Sequence, residues 1–176
     1  MKSIVLPQLR QTFNYDCGAK ALQAILAYYG IEIREDHIIK ETKTTKKLGT
    51  PLQGILDVAH KYGLKTDDRE MSIEDIKNFI KKDIPVILML QAWTNTRKMN
   101  WKKDWIDGHF AVAIGYTKDT ILFGDPSSFE RTFLKYTELE NRWHDIDTDG
   151  EKYFHYGVAI FGKSPKFKPT KVVHMD

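Results

Sequence analysis

Residues 108–126 read GHFAVAIGYTKDTILFGDP. His109 to Tyr116 is a short, almost wholly apolar run and reads as a buried strand. Lys118-Asp119 forms a tight turn, and Thr120 to Gly124 is the next strand. Asp125-Pro126 ends it, because proline has no N–H to extend a ladder. Pairing these strands as a hairpin sets the start of the first beside the end of the second. His109 and Asp125 then share one end of the sheet.

Outward from this hairpin, Arg131 to Lys135 and Tyr156 to Gly162 read as further strands, and Thr137 with Glu140 caps a short helix between them. Upstream, Pro85 to Gln91 is another buried strand. Before it the texture is helical. Ser72 with Asp75 forms a capping box for a helix to about Lys82. Thr50 caps and Pro51 opens a helix that runs to Tyr62 and stops at Gly63. A short helix spans Asp36 to Glu41, and the chain from Lys40 to Lys47 is polar loop. Ala19, Leu22, Ile25, Leu26 and Tyr29 keep helical spacing up to Gly30, with Asp16 at the N-cap position. Helices come first and strands second. That order predicts an α+β fold: an N-terminal helical lobe packed on a C-terminal lobe of antiparallel sheet. There is no internal repeat or low-complexity linker, so residues 1–163 are expected to form one domain. The Lys/Pro-rich tail, 164–176, is expected to fray.

Composition narrows the function classes. The 176 residues are 41% hydrophobic, too apolar for a disordered chain. A net charge of +3 is too small to predict a nucleic-acid partner. The longest apolar run, Ile84 to Leu90, is far short of the ~20 residues of a membrane helix. Ile4 to Leu6 is too short for a signal-peptide core. The expectation is a soluble, cytoplasmic protein. Its one cysteine, Cys17, rules out an intrachain disulfide.

A thiol attacks a carbonyl as the thiolate, which a helix N-terminus or a neighbouring imidazolium favours. Cys17 is expected in the first turn of a helix, followed by Gly18, whose bare backbone leaves room for a substrate. Taken singly, a lone cysteine reads as buried and inert, a histidine as a surface residue, and an aspartate before proline as a turn. The hairpin match of His109 and Asp125 favours catalysis instead. Cys17 is then the nucleophile, His109 the base and Asp125 the group that orients the base. Gln11, upstream of Cys17, could lend an amide donor to an oxyanion alongside the Cys17 backbone N–H.

The segment Asp145-Ile-Asp147-Thr-Asp149-Gly150 matches the first half of an EF-hand loop, but the position of the bidentate glutamate holds Tyr156. A solvated acidic turn is the expectation, with calcium held by Asp145, Asp147 and Asp149 as the alternative. The remaining histidines have no zinc-like spacing. Trp93, Trp101, Trp105 and Trp143 are expected to pack in the core, and Thr94 to Asp104 to flap over the cleft.

The blocks Gln11…Asp16-Cys17-Gly18-Ala19…Tyr28-Tyr29-Gly30, Gly49-Thr50-Pro51, Tyr62-Gly63-Leu64, Ile84-Pro85-Val86, Asp107-Gly108-His109-Phe110 and Gly124-Asp125-Pro126-Ser127 resemble those of the bacteriocin-processing cysteine peptidases. This is family thirty-nine of the papain-like cysteine peptidases, the double-glycine leader peptidases. The resemblance spans about residues 6–162. It implies a papain-like fold with Cys17 as nucleophile, His109 as base, Asp125 as orienter and Gln11 as oxyanion donor. Lys20 departs from papain-type motifs, which carry a second cysteine there, and Cys17 and His109 are closer in sequence than papain's ~130–150 residues. The family's best-known members precede a membrane transporter. This chain looks closer to a stand-alone branch with the segment Arg142-Trp143-His144-Asp145.

The expected activity is therefore a cysteine peptidase acting on peptide or protein substrates, leader peptides among them, with no cofactor. An exporter could associate in trans. Two other classes remain open: an acyl- or peptidyl-transferase using the same thioester, and a non-catalytic peptide-binding module. Retention of Cys17, His109, Asp125 and Gln11 counts against the last.

Overall fold

The hairpin at residues 108–124 forms the middle of the sheet. The computed structural model describes residues 2–95 and 99–175. In chain order the elements are β1 (Lys2–Ser3), α1 (Cys17–Tyr28), α2 (Glu35–Glu41), α3 (Leu52–Lys61), β2 (Lys65–Glu70), α4 (Ile73–Lys81), β3 (Val86–Gln91), β4 (Gly108–Tyr116), β5 (Thr120–Gly124), β6 (Thr132–Lys135), α5 (Tyr136–Arg142), β7 (His144–Ile146), β8 (Lys152–Phe154) and β9 (Tyr156–Phe161).

The main sheet runs β2-β9-β3-β4-β5-β6, with β1 added to β4. Every named pairing is antiparallel. The fold is α+β with an antiparallel sheet, as the order of elements predicted. β3 is buried at all six positions, VILMLQ, because it lies between β9 and β4 and is covered on its faces. α1 lies against β4 and buries Leu22, Ile25 and Leu26 completely. Each such side chain contributes about 1.5–3 kcal/mol through burial. Gly30 and Gly63, expected to stop α1 and α3, take the left-handed φ values of 79° and 76° that suit glycine.

Several local expectations need correction. β2, KTDDRE, has no apolar pattern, yet it is a strand because its backbone is registered along β9, Lys65 to Phe161 and Glu70 to Tyr156. The helical lobe thus lends a strand to the sheet. Asp16 does not cap α1 with its side chain. Its carboxylate accepts from the upstream Thr12 and Phe13 N–H groups. Thr50 does not cap α3 either. Its hydroxyl accepts from Ala19 N at 3.1 Å and so caps α1 from outside. Leu52 N, at the start of α3, donates instead to Asp147 Oδ1 at 3.0 Å. The α4 capping box forms as expected, Asp75 N on Ser72 Oγ and Ser72 N on Asp75 Oδ2. α5 begins at Tyr136, before the expected Thr137 cap, and Glu138 accepts from Lys135 N. In the tail, the Lys166 and Phe167 N–H groups donate to Tyr28 O at the end of α1.

Candidate active site

Cys17 is the first residue of α1, and its side chain is half-buried. The helix start is held from three sides. Thr50 takes the Ala19 N–H, Asp16 O takes the Lys20 N–H, and the Asp16 carboxylate, fully buried, ties down residues 12–13. The backbone N–H groups of Cys17 and Gly18 accordingly have no partner among the described residues, and they carry the positive end of the helix dipole. Gly18 serves a purpose other than the expected one. A Cβ there would sit 2.7 Å from Thr50 Cβ and 2.9 Å from Phe110 Cδ2. Its bare Cα lets α1 pack on Thr50 and Phe110, so the space is not free for a substrate.

His109, second residue of β4, is buried, as is Asp125, just past β5. Antiparallel pairing of Val112 with Gly124 brings the two ends together. His109 Nε2 lies 2.8 Å from Asp125 Oδ1. The Cys17 side chain is close enough to raise the ring's proton affinity as well. Nε2 is taken by Asp125, which leaves Nδ1 as the ring nitrogen open to another partner. Burial alone would lower the imidazole's proton affinity. The bond to Asp125 and the neighbouring Cys17 side chain outweigh it and push the ring up to about 10. Burial would raise the Asp125 carboxyl. Its bonds to His109, Ser127 N and Thr132 Oγ1 hold it below the usual carboxylate range.

The N-terminal segment runs along the loop after β5. Gln11 N donates to Pro126 O at 2.8 Å, and Ser127 Oγ donates to Gln11 Oε1 at 2.9 Å. Gln11 Nε2 donates to Phe13 O. One amide hydrogen is thus occupied in this state, and the carbonyl end is anchored to the Asp125 loop.

Two clefts meet at Asn14. One, of about 330 Å³, holds Cys17, Gly49, Gly108, Phe110 and Asp145. The other is bordered by Gln11, Phe13, Trp93 and Ser127. Of the four tryptophans expected in the core, only Trp143 is buried there, at 1% exposure. Trp93 is 54% exposed, and its Nε1 donates to Asp125 Oδ2 at 3.1 Å. Trp105 lines the Cys17 cleft, and Trp101 stacks under the Arg142 guanidinium at 4.0 Å. In the segment expected to flap over the cleft, residues 96–98 lie outside the described residues. Trp101–Lys103 make one 3-10 turn, and Asp104 is buried, accepting from Ile106 N and Asp107 N.

The acidic segment is the hairpin β7–β8 and its turn. Its carboxylates point to separate tasks. Asp145 turns inward to Gln91 Nε2, Asp147 takes the Leu52 N–H, and Asp149 takes the Glu151 N–H. Among the described residues no three His, Cys, Asp or Glu side chains gather as a metal site. The segment is a turn, but not a solvated one throughout: Asp145 is only 6% exposed. Burial pushes its carboxyl up to about 7, against the bonds from Ile146 N and Gln91 and the attraction of His109.

Sequence reasoning missed Trp93, Thr132 and Ser127 as partners of the Asp125 loop. The signal in each case is tertiary. Trp93 was named only as a core residue, Thr132 lay in a strand, and Ser127 lay within the Gly124-Asp125-Pro126-Ser127 block.

Known proteins resemble this chain in sequence and in fold. Residues 6–146 match the Peptidase C39 family. The chain is 27% identical over 166 residues to the mesentericin-Y105 transport/processing ATP-binding protein MesD of Leuconostoc mesenteroides, covering 93% of this chain. It is 24% identical over 162 residues to the pediocin PA-1 transport/processing ATP-binding protein PedD of Pediococcus acidilactici, covering 92% of this chain. It spans only 19% of the length of either protein. Among solved structures, the peptidase domain of Streptococcus ComA, a bifunctional ABC transporter of a quorum-sensing pathway, superposes with a TM-score of 0.66 at 19% identity, covering 90% of this chain and 98% of that one. A double-glycine-motif protease from an AMS/PCAT transporter, solved with its leader peptide, gives 0.67 at 18% identity, covering 94% and 95%. With a family match across most of its length and a fold shared with these peptidase domains, the chain belongs to the Peptidase C39 family and is a papain-like cysteine peptidase.

Proposed function

We propose that the chain cleaves peptide bonds through Cys17, His109 and Asp125, with Gln11 and the Cys17 N–H as oxyanion donors. The observation that carries this reading is the His109 ring bonded to Asp125 and raised in proton affinity by the Cys17 side chain at the start of α1. A protonated ring facing the sulfur favours the thiolate. The sulfur attacks the scissile carbonyl carbon and the oxygen takes the negative charge. The C–N bond then breaks as His109 gives its Nδ1 proton to the leaving amine. Water attacks the thioester, returns a proton to His109 and releases the acid. Asp125 keeps the ring oriented and stays ionised throughout.

The substrates proposed are peptides, leader peptides in particular. The transport and processing names of MesD and PedD support this class and an exporter as partner. A cytoplasmic location is part of the same proposal. The described residues contain no helix long and apolar enough to cross a membrane.

The test has two parts. Iodoacetamide should label Cys17 at pH 7 at least tenfold faster in the wild type than in His109→Ala. Incubation with a leader-peptide library should then give an acyl adduct on Cys17, visible by mass spectrometry, which decays in water at a rate indifferent to added amines. Equal labelling of both proteins would remove the Cys17–His109 pair from the mechanism. Acceleration by a particular amine, with amide product, would make the chain a transferase.

A further inference from the structure

The cleft beside Cys17 falls in the ~300–1,000 Å³ range of small-ligand sites, more than a glycine backbone needs. Its inner wall carries a carboxylate that no catalytic step uses. Asp145 Oδ1 accepts from Gln91 Nε2 at 2.9 Å and from Ile146 N at 2.8 Å. Asp145 Oδ2 accepts nothing among the described residues. The group presses on the chain next to His109: a Cβ at Gly108 would lie 2.5 Å from Oδ1 and 2.8 Å from Oδ2. Gln91, which holds it, is fully buried and leaves its own Oε1 without a partner. Such a buried, half-satisfied carboxylate is unfavourable for an empty protein and favourable once a cation reaches it.

We propose that this cleft takes a cationic side chain, of the lysine or arginine type, from the acyl side of the scissile bond, with Asp145 Oδ2 as its counter-ion. The proposal rests on the peptidase reading and names its substrate class. The acyl side follows from the lining of the two openings. Cys17, which carries the acyl part as a thioester, borders this cleft and does not line the one edged by Gln11, Trp93 and Ser127. Lys46 and Lys47 also line the Cys17 cleft, but they are exposed on its outer loop, where water and salt screen them. The buried carboxylate is screened far less, so it sets the preferred sign of charge.

Acetylated tripeptidyl acyloxymethyl ketones test this directly. Cys17 displaces the carboxylate leaving group and forms a thioether, so labelling is read by intact mass. Lysine, norleucine or glutamate is placed in turn at the three residues before the ketone, on a glycine background. Each rate is divided by the iodoacetamide rate of the same protein. Lysine should exceed norleucine at least tenfold at one position, and the ratio should fall to near one in Asp145→Asn and recover in part in Asp145→Glu. A free-amine glycyl peptide separates a side-chain cation from a chain terminus, and faster labelling by it than by the lysine probe would overturn the side-chain proposal. A ratio near one in the wild type, or one unchanged in Asp145→Asn, would do the same. Loss of the iodoacetamide difference between wild type and His109→Ala would instead bring down the peptidase reading itself.

Discussion

The Trp93 indole N–H donates at 3.1 Å to Asp125 Oδ2, the carboxylate oxygen that His109 leaves free. Trp93 is held at φ 63°, a left-handed conformation that a bulky residue adopts at a cost of about 1–3 kcal/mol. Surrounding contacts outweigh that cost, and Thr132 Oγ1 on the same oxygen at 3.0 Å completes the cradle. Trp93 is thus a positioning residue for the His109–Asp125 pair.

Trp93→Phe keeps the ring and removes the donor. The carboxylate retains Thr132 and Ser127, so the protein should fold. kcat should drop about tenfold, equivalent to about 1.4 kcal/mol, with KM little changed. Trp93→Ala, which also opens the pair to water, should be worse. A Trp93→Phe enzyme with wild-type kcat and an unaltered pH profile would show that the indole only covers the site.

Thr50 gives a second, structural prediction. It is 3% exposed, caps Ala19 N and exchanges a hydrogen bond with Thr44 Oγ1 at 2.8 Å. Thr50→Val keeps the shape and strands two polar partners, costing about 1–3 kcal/mol. For a chain of this size that lowers Tm by roughly 2–12 °C. Thr50→Ser should retain most of the stability. A Thr50→Val melt equal to wild type would mean that water replaces the hydroxyl at the helix start.

What could be read before the structure follows the range of the interactions. α1 and α4 announce themselves by apolar spacing and a local capping box, and β4–β5 by a turn between two short apolar runs. His109 and Asp125 were legible because a hairpin converts chain order into proximity. β2 was not, because KTDDRE owes its conformation to the β9 backbone rather than to its own side chains. Thr50 and Asp147 were misplaced or unassigned for a related reason. Capping groups usually come from the adjacent residue, and here α1 and α3 are capped across the tertiary structure. Asp145 reads as part of an acidic run, and only the β3–β7 contact, through Gln91, turns it inward.

Burial of Asp145 makes a prediction about stability and pH. In the unfolded chain its carboxyl loses its proton near pH ~4, whereas the folded protein holds it up to about 7. Below pH ~4 both states are protonated and the group makes no pH-linked contribution. Between pH ~4 and about 7 the unfolded state ionises more readily, so stability falls as pH rises, and the penalty is complete above about 7. Asp145→Asn removes that penalty while still accepting from Gln91 and Ile146. After relaxation the gain should be about 1–3 kcal/mol at pH 8, or roughly 2–12 °C in Tm, and should vanish by pH ~4. A gain of the same size at both pH values would assign the effect to packing.

Gln11 is the most exposed part of the proposed mechanism to disproof. Its carbonyl end is fixed by Ser127 Oγ and its backbone by Pro126 O, so the amide is anchored on the loop that carries Asp125. Its Nε2 donates to Phe13 O and keeps one further hydrogen, which the proposed mechanism assigns to the oxyanion. Removing one such donor typically costs ~10²–10³ in turnover. Gln11→Ala should therefore slow acylation of Cys17 by that factor, measured by single-turnover mass spectrometry. The half-buried residue precedes the first helix and packs little core, so Tm should change by only about 1–3 °C. Gln11→Glu should be as slow or slower, because a carboxylate repels the developing charge while keeping the Ser127 contact. Iodoacetamide displaces iodide without forming an oxyanion, so its rate at Cys17 should be nearly the same in all three proteins. Slowing of both reactions together would mean that Gln11 acts by holding the Asp125 loop. Acylation by Gln11→Ala at the wild-type rate would leave the Cys17 backbone N–H to stabilise the oxyanion without this side chain.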